Sequence, residues 1–95
     1  MKGSDRASSK PDLYVIARII YTLREQGNLK RTRLATLTGL SYESLTRYLE
    51  WMNDKGFLKN SVEGEVTLTE EGHKVYESLV KWILKNIGQL RFPRF

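Results

Sequence analysis

The sequence predicts an α+β fold, mainly α, in which three helices precede a two-stranded hairpin and a long closing helix. Three observations predict it. Apolar residues recur at three- and four-residue spacing from Leu13 to Leu23 and again from Leu45 to Met52, the mark of amphipathic helices. Between the second and third helical stretches only Gly39 and Leu40 are left for a turn. After Gly56 the period shortens to that of strands in "FLKNSVEGEVTLT", and helical spacing returns beyond Thr69. At 95 residues, 40% hydrophobic and 11% aromatic, the chain suits one small domain with a modest core.

The first helix is expected over Lys10–Gln26, with Leu13, Ile16, Ile20 and Leu23 on one face. Ser9 and Asp12 form a capping-box pattern, Pro11 is tolerated in a first turn, and Gly27 is a natural stop. A short second helix fits Lys30–Thr38, with Leu34 and Leu37 inward and Gly39 supplying the left-handed residue that ends it. Ser41 can cap the third helix through the amide of Glu43 or Ser44. Along that helix Leu45, Tyr48, Leu49 and Met52 share one face, while Glu43, Arg47, Glu50 and Asp54 share the other. Strands are expected over 57–61 and 65–69 around Gly64. Thr69 then caps a last helix with Glu70 and Glu71 in its first turn, running to about Leu90.

Composition excludes several classes. The chain has no cysteine, so disulfides, thiolate metal sites and thiol catalysis are excluded, in keeping with a cytoplasmic protein. The polar start "MKGSDRASSK" is no signal peptide, and "YVIARIIY" is short and broken by Arg18, so no membrane segment is expected. A net charge of +5 and a pI near 9.6 lean toward a polyanionic partner. Glu70 and His73 have the spacing of a metal-binding pair, but one pair on one helix supplies too few ligands, and no metal is expected. With a single histidine, no Gly-rich phosphate loop and no nucleophile elbow, the sequence reads as a non-enzyme without a cofactor or an obvious small-molecule ligand.

The order of elements, and the wording "LATLTGLSYESLTRYLEWMNDKGFL" followed by "VTLTEEGHKVYESL", resembles the winged helix-turn-helix DNA-binding family of archaeal and bacterial regulators. The resemblance covers roughly Asp12 to Leu90 and is greatest to small archaeal regulators and the ten-kilodalton archaeal chromatin-associated proteins. With the residues outside it read directly, the expected division is 1–9 as a flexible tail, 10–69 as the winged domain, 70–90 as a dimerisation helix and 91–95 as a basic-aromatic tail. The resemblance also implies a dimeric, non-catalytic binder of double-stranded DNA, either a sequence-specific transcriptional regulator or an architectural chromatin protein, cytoplasmic and nucleoid-associated, whose third helix enters the major groove.

On the third helix Tyr42, Glu43, Thr46 and Arg47, with Ser41 and Ser44 beside them, are the candidate groove contacts. Arg47 suits guanine or phosphate and Thr46 a thymine methyl, whereas Glu43 can accept from cytosine but repels phosphate. Lys30, Arg31, Thr32 and Arg33 are candidate phosphate contacts, and Lys59 on the hairpin is a minor one. The plain alternative is that all of these merely solvate a helix face. Trp51 is expected to pack on the hairpin or on a partner. Tyr76, Val80, Ile83, Ile87 and Leu90 step like a coiled-coil seam, widened by Val75, Leu79, Trp82 and Leu84, and suggest a dimer interface unless the first helix absorbs them. A protein-docking module is the rival reading, against which stands the basic set Lys30, Arg31, Arg33, Arg47 and Lys59. RNA binding is less favoured, because the strands offer no aromatic platform.

Overall fold

The computed structural model describes residues 11–90. Ser9, Lys10 and the two expected tails lie outside the described residues.

Helix α1 spans Leu13–Gln26 and starts later than the sequence suggests, because Asp12 is its cap: the Asp12 carboxylate accepts the Tyr14 N–H at 2.8 Å. Gly27, at φ 86°, ends it and donates its N–H to the Leu23 carbonyl at 2.9 Å. Val15, Ile16, Ile19, Ile20 and Leu23 are all buried, because α1 is gripped on one side by the second helix and on another by the last. Leu13, expected on the inward face, is 59% exposed.

A strand absent from the sequence reading follows. Leu29–Lys30 forms β1, paired antiparallel with β3 (Glu65–Leu68) so that Leu29 faces Val66 and Lys30 faces Glu65. With β2 (Leu58–Asn60) the sheet is three-stranded in the order β1-β3-β2, not a two-stranded hairpin. Two residues have no alternation to read. Only the open edge of β3 makes them a strand.

Helix α2 is Arg31–Thr38 and α3 is Tyr42–Asp54. Leu34, Leu45, Leu49 and Met52 are buried in the core with the inward faces of β2 and β3. Each such side chain contributes about 1.5–3 kcal/mol relative to exposure.

The last helix has three segments: α4 (Glu70–Val75), a π-helical turn (Tyr76–Val80) and α5 (Lys81–Asn86). Thr69 caps it as expected, accepting the Gly72 N–H at 3.0 Å. In the π turn the Lys81 N–H donates to the Tyr76 carbonyl, one residue beyond the α-helical partner. That extra residue rotates the following face. Gly88, at φ 102°, then ends the helix short of Leu90, and Leu90 lies back against the core.

Gly72 marks where this helix crosses the base of the hairpin. A Cβ there would collide with the Phe57 carbonyl oxygen and lie 2.9 Å from Leu68 Cδ2, so only glycine lets the two backbones approach so closely.

Candidate nucleic-acid interface

The turn between α2 and α3 is built by backbone geometry. Gly39 adopts φ 75°, ψ 22°, which lets both its own N–H and that of Leu40 reach the Ala35 carbonyl at 2.9 and 3.1 Å. Two residues later Ser41 Oγ accepts the Ser44 N–H at 3.1 Å and starts α3. The buried Thr38 hydroxyl closes the end of α2 onto the Leu34 carbonyl at 2.7 Å. The angle between the helices is therefore held at both ends of the turn. Tyr48 adds a third restraint that the sequence reading missed: its phenol oxygen accepts the Asp12 N–H at 2.9 Å, tying the middle of α3 to the start of α1.

With its inward face committed to the core, α3 leaves Ser41, Tyr42, Glu43 and Arg47 exposed and Ser44 half-buried. Glu43 and Arg47, one helical turn apart, form an ion pair at 3.7 Å, and the other Arg47 terminal nitrogen reaches Ser44 Oγ at 3.5 Å. Thr46 is half-buried, and its hydroxyl oxygen is buried without a hydrogen-bond partner among the described residues.

Lys30 is the residue before α2, and Arg31, Thr32 and Arg33 form its first turn. Lys30, Thr32 and Arg33 are exposed and Arg31 is half-buried. Among the described residues no ion pair within 4.0 Å engages Lys30, Arg31, Arg33 or Lys59, although several neighbouring helices carry such pairs. The hairpin tip is organised by Ser61, whose hydroxyl oxygen accepts the N–H groups of Glu63 and Glu65 at 3.2 and 3.1 Å. This leaves Val62 fully in solvent at the tip, a position that no periodicity could flag. Trp51 packs edge-on against Phe57 at the start of the hairpin, with 6.2 Å between ring centroids.

The expected dimer seam is largely taken up by the chain's own core. Val80, Ile83 and Leu90 are buried in the chain's own core, and Tyr76 and Leu79 are half-buried against it. Only Trp82 and Ile87 point outward, at 57% and 48% exposure. The seam as a continuous intermolecular stripe is thus corrected. Arg24 and Glu77 join α1 to the last helix at 3.1 Å, Lys81 approaches Glu77 at 2.9 Å, and the Arg24 guanidinium lies 4.1 Å above the Tyr76 ring. The hydrogen bond from Lys81, then that from Arg24, holds the Glu77 carboxyl below its ordinary range.

The shape agrees with known proteins. A family model described as winged helix-turn-helix matches residues 12–86. The chain belongs to the winged helix-turn-helix family. It is 30% identical over 78 residues to an uncharacterized protein of Methanocaldococcus jannaschii, covering 82% of this chain and 78% of that one. Among solved structures it resembles a MarR family transcriptional regulator from Silicibacter pomeroyi (TM-score 0.71, 25% identity, 87% of this chain and 60% of that one). A MarR family protein from Bacillus stearothermophilus shares the fold with a TM-score of 0.71 at 17% identity, covering 90% of this chain and 64% of that one. The chain therefore spans about 60% of the length of these regulators. Family and neighbours indicate a non-enzyme. Among the described residues no three metal-ligating side chains cluster, and no helix is long and apolar enough to cross a membrane.

Proposed function

We propose that the chain is a homodimeric, nucleoid-associated transcriptional regulator that places α3 in the major groove of double-stranded DNA. The observation that carries this is the exposed face of α3. It is held by the Gly39 turn and the Ser41 cap, and it presents Tyr42, Glu43 and Arg47 beside the cations Lys30, Arg31 and Arg33. Cations outside ion pairs suit phosphates, and a helix N-terminal face suits base edges. The MarR family transcriptional regulator from Silicibacter pomeroyi, which shares the fold, supports the same reading.

The dimer surface in this reading is Trp82 and Ile87 on the last helix together with Leu13 on α1, apolar side chains that the core leaves exposed. Two-fold symmetry would set the two copies of α3 about 34–36 Å apart, one turn of duplex.

The test is binding of the full chain to random-sequence duplex across a salt series, followed by sequencing of the bound pool. A palindromic motif is expected. Salt-dependent binding without any motif would favour an architectural chromatin role, and no duplex binding at micromolar concentration would favour protein docking instead.

A further inference from the structure

The geometry points to Glu43 and Arg47 acting as one reader of a single cytosine·guanine base pair, with Glu43 as the specificity-determining residue. This rests on the proposal that α3 enters the major groove.

The fold has no need of the pair. Both side chains are largely in water, at 87% and 67% exposure, and an exposed pair one turn apart stabilises a helix only slightly. What the pair does is set an arrangement of hydrogen-bonding groups. The Glu43 carboxylate, an acceptor, stands 3.7 Å from one Arg47 terminal nitrogen, and the other terminal nitrogen is 3.5 Å from Ser44 Oγ. The solvent side of α3 therefore offers an acceptor next to a fork of donors.

A C·G pair presents the complement of that arrangement in the major groove. The cytosine N4 amino group donates, and beside it guanine O6 and N7 accept. A T·A pair sets the thymine O4 acceptor against the carboxylate, so that two acceptors confront each other. The same carboxylate repels phosphate, which lowers affinity for every duplex and leaves only sites with the cytosine amino group to offset the loss. Specificity then comes from a penalty as much as from a contact. Glu43, the awkward acidic residue in a basic surface, has a role on this account.

The test compares bound pools selected from random-sequence duplex by the wild-type chain and by Glu43→Gln, with affinities measured by anisotropy. The wild-type pool is expected to hold a C·G pair at one position of each half-site. Glu43→Gln should lose that pair and shift the position toward adenine, whose N6 and N7 a glutamine amide matches. It should also bind the wild-type site about tenfold more weakly, and unselected duplex about fivefold more tightly, as expected for removing one like charge near phosphate. Arg47→Ala should lose the same position and no other. A wild-type pool with no enriched C·G pair, or an unchanged Glu43→Gln pool, overturns the inference while leaving DNA binding intact. A wild-type chain that binds no duplex overturns the functional proposal, and this inference with it.

Discussion

Replacing Gly72 by alanine tests the packing that seats the wing against the last helix. The added methyl would overlap the Phe57 carbonyl oxygen and approach Leu68 Cδ2 to 2.9 Å, and the first of these is backbone that cannot rotate away. Moving Phe57 also strains the hydrogen bond from the Thr69 N–H to the Phe57 carbonyl at 3.1 Å, next to the cap of α4. Overpacking of this kind costs about 1–3 kcal/mol, and the gain in helix propensity from glycine to alanine returns at most about 1 kcal/mol. The net loss is therefore up to about 2 kcal/mol, which in a domain of this size lowers Tm by up to about 15 °C. Thermal unfolding followed by circular dichroism measures it, with Ser78→Ala, an exposed change on the same helix, as the control. A Gly72→Ala chain that melts at or above the wild-type temperature would refute the reasoning, since helix propensity would then outweigh the crossing.

Three further outcomes are expected. Arg33→Ala should flatten the dependence of log affinity on log salt by about one unit per lost phosphate contact, equally on selected and random duplex, as read by anisotropy; an unchanged slope removes Arg33 from the interface. Trp82→Glu combined with Ile87→Asp should leave the circular dichroism spectrum intact and yield a monomer in sedimentation equilibrium, whereas Ile83→Asp should unfold the chain, because Ile83 is buried in its own core. A wild type that stays monomeric well above micromolar concentration refutes the dimer. For Glu77, whose folded pKa is lowered from 4.5, the carboxylate contributes stability above the unfolded value that is lost as pH falls through the folded one. The melting-temperature difference between wild type and Glu77→Gln should accordingly be constant near neutrality and shrink below about pH 4.5; a difference that does not change with pH would remove the Arg24–Glu77–Lys81 cluster as its origin.

Local chemistry is what the sequence by itself determined. Gly39, Ser41, Gly56 and Thr69 act through their own backbone or through atoms a few residues away, so their roles as stops and caps could be read from position alone. The apolar stripe of α3 was legible for the same reason, because one helix face repeats without outside help. The tertiary structure decided whatever depends on a distant partner. Leu29 and Lys30 became a strand only because β3 offered an edge, and the Thr46 hydroxyl was closed off only by packing. The last helix is the sharpest case. Its apolar repeat reads as a seam for a second chain, but the first helix and the rest of the core take in Val80 and Ile83 and leave Trp82 and Ile87 facing out. A periodic pattern says which residues avoid water; which surface takes them in is set by how the helix is wound and what packs against it.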